Sequence, residues 1–227
     1  MKAVIFDKDG VLIERFDLHF KSHSMVLAEF GVKIKKEDLI KRYGMKISEI
    51  LRDILKQYGK KISESTAKRI ASKKVKIYVE LTEKGLKLLP GVKEFLKFLK
   101  NKGYKIGLAS SDSKKTLQQF LRLTKTEKFF DVNIGGDEIK KGKPDPEIFL
   151  KCAKKLKVRP EDCVVVEDSV HGVKAAKKAG MKCIAIPSGA YTKDELKKEK
   201  PDLLVDSITE KEKILDFIFE EHVHTTS

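Results

Sequence analysis

The chain has 227 residues, 41% of them hydrophobic and 37% charged, with a formal net charge of +15. That length allows one large core, or a core carrying a smaller insertion. No apolar run approaches the ~20 residues that span a bilayer, and no charged-then-apolar leader opens the sequence, so a cytoplasmic protein with no membrane partner is expected.

The charge does not read as a nucleic-acid footprint. Only six of the 49 basic residues are arginine, at 15, 42, 52, 69, 122 and 159, and arginine is the preferred reader of phosphates and bases. The excess is also spread out, with 18 basic and 10 acidic residues in 14–84. No nucleic-acid partner is expected, and the pattern fits a solvated Lys/Glu surface of the thermostable kind. Cys152, Cys163 and Cys183 match no zinc spacing, and their odd number argues against a disulfide framework. They read as buried small apolar residues.

In chain order, Ala3-Val4-Ile5-Phe6 is a buried strand, followed directly by Asp7-Lys8-Asp9-Gly10. Residues 17–30 are predicted as an amphipathic helix with Leu18, Met25, Val26 and Phe30 at helical spacing, ended by Gly31. A short helix spans 37–43 and stops at Gly44. Ser48 is placed as the cap of the next helix, whose apolar face is Ile50, Leu51, Ile54 and Leu55. Ser63 opens a longer helix to about Thr82. Some 70 residues thus read as helix only, which gives an inserted helical domain at 14–84 and a core formed by 1–13 and 85–227.

From Pro90 the rhythm changes. Helices are predicted over 92–101, 113–123, 146–156, 170–179 and after Thr192, with a last one capped by Thr209 and running to about Glu221. Strands are predicted at 105–109, 132–134, 163–166, 182–186 and 203–205. His222 to Ser227 reads as a frayed tail. Strands alternating with helices imply an α/β fold: a Rossmann-like parallel sheet with helices on both faces. Every strand then ends on one rim, where such sheets bind ligands. The rim collects Asp7-Lys8-Asp9-Gly10, Ser110-Ser111-Asp112, Lys141-Gly142-Lys143-Pro144 and Glu167-Asp168-Ser169. Acids, hydroxyls and a lysine suit phosphoryl transfer to a carboxylate.

Other readings of these motifs fit less well. Gly10 is the fourth residue from Asp7, whereas an EF-hand loop needs glycine at its sixth position. Gly136 to Lys143 has five residues between its glycines, and Pro144 stands where a P-loop needs Ser or Thr. Ser113 is a better helix cap than Ser110. Glu167 fits equally as a metal ligand or as an acid at a helix N-terminus.

Four of these motifs, in order along nearly the whole chain, resemble the haloacid dehalogenase superfamily. They are 6–12 (FDKDGVL), 108–111 (LASS), 142–149 (GKPDPEIF) and 166–172 (VEDSVHG). The insertion is similar to the small helical cap of the branch containing phosphoglycolate phosphatase and β-phosphoglucomutase. The resemblance implies Asp7 as nucleophile, Asp9 as general acid/base and Lys143 as its balancing cation. Ser110 and the Ser111 amide would hold phosphoryl oxygens. Mg²⁺ would be bound by Asp7, Asp9 through its carbonyl, and Asp168, with Glu167 a further candidate. The substrate implied is a small phosphorylated metabolite such as phosphoglycolate or a sugar phosphate, and a phosphosugar mutase is the alternative.

The cap would set the substrate. His19 matches a histidine of phosphomutase relatives, or is an ordinary helix-surface residue. Arg42, Lys46 and Lys74 are candidates to face an anionic leaving group. Ile47 stands where the mutase carries an arginine, which weighs against the mutase. Lys8 replaces a usually apolar residue, and strand alternation directs its side chain away from Asp7 and Asp9. A monomer or weak homodimer is expected.

Overall fold

Six short strands carry the fold, in a computed structural model that describes residues 1–13, 16–82 and 86–220. They are β1 (Ala3–Phe6), β2 (Lys105–Ser110), β3 (Val132–Gly135), β4 (Cys163–Glu167), β5 (Lys182–Ala185) and β6 (Leu203–Leu204). All pair in parallel, in the order β3-β2-β1-β4-β5-β6. The α/β class and the parallel sheet expected from the sequence are what the chain forms. The strand order turns back between β1 and β4, and open sheets bind ligands at such a crevice.

Both faces of the sheet are covered, and strand alternation decides what goes where. Val4 and Phe6 pack with α5 (Val92–Asn101), α6 (Lys114–Thr124) and α10 (Lys211–Glu220). Ala3 and Ile5 pack with α7 (Glu147–Leu156), α8 (Val170–Lys178) and α9 (Lys193–Lys198). This explains why the strands read as unbroken apolar runs. Cys152, Cys163 and Cys183 are free and buried in the second cluster. No helix among the described residues is long and apolar enough to cross a membrane.

Among the described residues between β1 and α5 there are four helices and no strand: α1 (Phe16–Ala28), α2 (Lys36–Ile40), α3 (Ile47–Gln57) and α4 (Glu64–Thr82). They have their own apolar cluster, including Leu27, Leu39, Leu51, Ile54 and Ile70. The predicted boundaries at 13/14 and 84/85 fall on or beside residues outside the described set, as does the predicted tail.

Three local expectations are corrected. Helix α3 starts two residues earlier than the Ser48 cap implies, with Lys46 in the cap position. Helix α10 begins at Lys211, and the Thr209 hydroxyl bonds Ser207 instead of a helix amide. In α1 the buried stripe is His19, Ser22, His23, Val26 and Leu27, while Met25 is 47% exposed. The stripe still obeys helical spacing, but its first half is polar because it faces a charged loop and not a core.

Candidate active site

Asp7 is the first residue past β1, and its backbone N–H donates to the Val166 carbonyl of β4 at 2.9 Å. This puts the Asp7 and Glu167 side chains level at the crevice. Gly10 then turns the chain with a φ of +80°, and a Cβ there would lie 1.9 Å from Asp168 Oδ2. Only glycine supplies both that conformation and that clearance. The loop therefore brings Asp7, Asp9 and Asp168 into one buried group, each at most 7% exposed.

Lys143 is the cation that makes this tolerable. Its Nζ donates to Asp7 Oδ1 at 2.6 Å and to Glu167 Oε1, and the residue is 1% exposed. Glu167 Oε2 accepts from the amides of Asp168 and Ser169 and from the Ser169 hydroxyl, each at 2.9 Å. Both Glu167 oxygens are thus engaged by protein. That corrects its assignment as a metal ligand: its geometry is that of a residue that positions Lys143. Asp168 is the opposite case. Its Oδ2 is buried with no partner, as is Asp9 Oδ1. Burial, with Glu167 and Asp7 nearby, pushes the Asp168 carboxyl well above its ordinary range. Burial also pushes Asp7 up to about 7, against the opposing pull of Lys143. Buried carboxylate oxygens without donors are what a hard divalent cation binds, so the residues present fit the Mg²⁺ expected from the sequence.

Asp9 has a different environment. Its Oδ2 lies 3.0 Å from Lys8 Nζ and 3.1 Å from His19 Nε2. Burial alone would raise its pKa, but Lys8 and His19 hold it well below the carboxylate range. The Lys8 ammonium also donates to Asp112 Oδ2 at 2.6 Å and reaches the Tyr78 hydroxyl of α4 at 3.4 Å. This corrects the expectation that Lys8 points away from Asp9. Strand alternation ends with β1 at Phe6, and the loop bends Lys8 back into the site. Ligand atoms of Asp9, His19 and Asp112 lie within 4.8 Å of one another, but this cluster already holds the Lys8 cation. Asp112 was placed on the rim from the sequence, but its pairing with Lys8 was missed. A lysine and an acid at matching places after adjacent strands β1 and β2 was the available signal.

His19 belongs to the site and is not a surface residue. Lys74 Nζ lies 2.8 Å from His19 Nδ1. An ammonium only donates, so Nδ1 accepts and the ring proton sits on Nε2, donating to Asp9. Tyr78 stacks on the ring with centroids 4.3 Å apart. Lys74 itself is fully buried, with its pKa pushed down to about 8 by that burial. It acts through His19 and does not line the cleft.

The cleft between rim and insert is lined from below by Asp7, Asp9, Ser110, Ser111, Asp112 and Asp168. Ser110 is buried at the end of β2, and the Ser111 hydroxyl donates to the Gly44 carbonyl at 2.6 Å, joining the two parts. Ser113, not Ser110, caps α6. From above come Leu39, Tyr43, Met45, Ile47 and Ile50 with His19 and His23. Besides Lys74, two more predicted contacts are absent from it. Arg42 binds Asp53 at 2.6 Å, Gln57 at 2.7 Å and the Asp38 carbonyl at 2.7 Å. Lys46 donates to the Ile139 carbonyl at 2.6 Å. Arg42 is held within the insert by acceptors on α2 and α3, and Lys46 is drawn to a carbonyl of the core, neither of which a spacing argument registers.

A doubly wound sheet with a buried Asp–Lys–Asp rim under a helical insert defines a phosphoryl-transfer class of enzyme. A sequence model of the haloacid dehalogenase-like hydrolases matches residues 4–186. The chain is 42% identical over 186 residues to a phosphorylated carbohydrates phosphatase of Thermotoga maritima, covering 81% of this chain and 84% of that one. It is 31% identical over 187 residues to hexitol phosphatase B of Escherichia coli K12, covering 82% and 83%. A crystal structure of β-phosphoglucomutase from Clostridium difficile superposes with a TM-score of 0.87 at 30% identity, covering 98% and 99%. The chain belongs to the haloacid dehalogenase-like hydrolase family and is an enzyme of its phosphatase kind.

Proposed function

We propose that the protein hydrolyses a small phosphomonoester, a sugar or polyol phosphate, with Asp7 as nucleophile. The observation that carries this reading is the asymmetry of the acids. Asp7 is gripped by Lys143 at 2.6 Å, while Asp168 Oδ2 is buried without a partner beside it. The named phosphatase relatives support the same class of substrate.

An Asp7 oxygen attacks phosphorus as the ester P–O bond breaks, giving a phosphoaspartyl intermediate. Asp9, ionised in the free site, takes up a solvent proton as substrate binds and delivers it to the departing alkoxide. Asp9 then takes a proton from water as that water attacks phosphorus, releasing inorganic phosphate and restoring Asp7. Lys143 orients Asp7 and opposes the rise that burial imposes on its carboxyl. Ser110 and the Ser111 amide hold phosphoryl oxygens. Asp7, the Asp9 carbonyl and Asp168 would hold Mg²⁺, which supplies charge neutralisation for the approaching phosphoryl group. The helical insert, residues 14–84, serves as the cap that excludes bulk water and contacts the leaving group. We place the protein in the cytoplasm as a monomer or weak homodimer.

Ile47 lining the cleft, with Arg42 and Lys46 turned away, weakens the mutase alternative, which must hold the charged group of a bisphosphate. Phosphate release from a panel of sugar and polyol phosphates with Mg²⁺ tests the reading. No release across the panel removes it; conversion of β-glucose 1-phosphate to glucose 6-phosphate without phosphate release replaces it with the mutase.

A further inference from the structure

His23 is a cleft residue that the mechanism does not use. It lies one turn beyond His19 on α1, is 2% exposed, and lines the cleft. Its Nδ1 sits 2.7 Å from the His19 carbonyl oxygen. A carbonyl only accepts, so Nδ1 carries the ring proton. Burial and the nearby Lys74 push the pKa of the ring well below the ordinary histidine value, so it is neutral. Nε2 is then a bare acceptor, and it is buried with no hydrogen-bond partner. An orphaned buried acceptor opposes folding unless a ligand brings it a donor.

The wall around it narrows what that ligand is. Among the described residues lining the cleft there is no lysine or arginine. Of the three predicted cations, Lys74 is buried against His19 Nδ1, and Arg42 and Lys46 spend their donors on Asp53, Gln57, Asp38 and Ile139. Leu39 and Ile50 supply apolar surface instead. A carboxylate or second phosphate on the leaving group would meet no cation here. A hydroxyl would meet an acceptor.

Resting on the phosphatase reading above, we infer that His23 Nε2 accepts a hydrogen bond from a hydroxyl of an uncharged, polyhydroxylated leaving group. His23 is thereby a specificity-determining residue, and the preferred substrates are sugar or polyol monophosphates over phosphocarboxylates and bisphosphates.

The test compares two esters of equal chain length, a hexitol 6-phosphate and n-hexyl phosphate. The parent enzyme should prefer the hexitol ester in kcat/KM. In His23→Phe the hexitol-to-hexyl ratio should fall about tenfold, since only the hydroxylated ester loses a bond. His23→Gln, which keeps an acceptor, should recover part of the ratio. A ratio unchanged in His23→Phe, or an equal loss on both esters in a folded variant, overturns the inference. If His23→Phe does not fold, a parent enzyme with no preference for the hexitol ester overturns it. Failure to hydrolyse either ester would instead strike the phosphatase reading itself.

Discussion

The two walls of the cleft are built on opposite principles. The rim wall is charged and its acids are partly balanced: Asp7 and Glu167 by Lys143, Asp9 and Asp112 by Lys8, with Asp168 Oδ2 and Asp9 Oδ1 left without a partner. The insert wall is apolar, with polar function confined to the histidines of α1 and to Tyr43. Charges on the rim come from strand ends held in a close-packed sheet, so their spacing is fixed before any ligand arrives. The insert is joined to the core by single hydrogen bonds and not by a shared sheet, among them Ser111 to Gly44, Lys8 to Tyr78, Asp9 to His19, Lys46 to Ile139, Gly142 to Glu49 and His171 to Lys41. Chemistry is thus assigned to the rigid wall and selection to the one hung above it.

The contrast breaks most severely at Asp7. Asp7→Asn should lower turnover by at least ~10³-fold, because the amide is no nucleophile. Phosphate release on a substrate of the parent enzyme reads this out, and a variant retaining a tenth of the activity would remove Asp7 from its role. Next comes Lys143→Met. It leaves Asp7 and Glu167 buried and uncompensated, and truncating one partner of a buried ion pair costs about 3–5 kcal/mol. Chemical denaturation should show that loss together with loss of turnover. A variant as stable as the parent would mean that the rim acids do not depend on Lys143.

How much of this was legible depended on which wall a residue belongs to. Asp7, Ser110 and Asp168 were legible because each ends or follows an apolar run, and a parallel sheet brings all such ends to one edge, whereas Lys143 was picked out only by its place in the motif 142–149. The partnership of Lys8 with Asp112 was not found. Alternation was extrapolated two residues past the end of β1, where the loop no longer obeys it. Glu167 was ambiguous because its role is fixed by which donors reach its two oxygens, and sequence carries no such information. On the insert, the α1 stripe was misassigned by following apolar residues alone. Positions 19, 22 and 23 share the helical register of Val26 and Leu27, so the stripe was there, written in polar residues.

Lys8→Met sharpens the view that the rim needs two cations. Asp112 and Asp9 would lose their shared partner, and a stability loss of about 3 kcal/mol is expected. The double variant Lys8→Met with Asp112→Leu should recover much of that stability, since it removes the stranded charge together with its partner, but not full turnover. If the single variant is no less stable than the parent, the Lys8 cluster is not a supporting element.

Cation binding gives a smaller effect with a defined pH dependence. Asp7 in the fold sits near pH 7, above its ordinary 3.8, and Asp168 is raised in the same sense. In metal-free protein, proton binding to these groups stabilises the fold at acid pH, and that contribution is lost as pH rises through about 7. The melting temperature in EDTA should therefore decline between pH 5 and 8. Mg²⁺ at about 100 times its Kd should add about 2.7 kcal/mol at the alkaline end and little at pH 5, where protons compete for the same oxygens. Parallel EDTA and Mg²⁺ curves across that range would count against metal binding at Asp7 and Asp168.

The smallest effect is expected where sequence spacing pointed to a substrate contact and the structure places none. Arg42 ties the Asp38 carbonyl on α2 to Asp53 and Gln57 on α3, and Asp53 is 52% exposed. An exposed pair of this kind contributes at most about 1 kcal/mol. Arg42→Ala should lower the unfolding free energy by about that amount while kcat and KM for a sugar phosphate stay within about twofold of the parent. A large rise in KM with stability unchanged would put Arg42 back in the cleft. It would also undo the division of labour between the walls, because selection would then rest on an anion-binding cation and not on a neutral face with one bare acceptor.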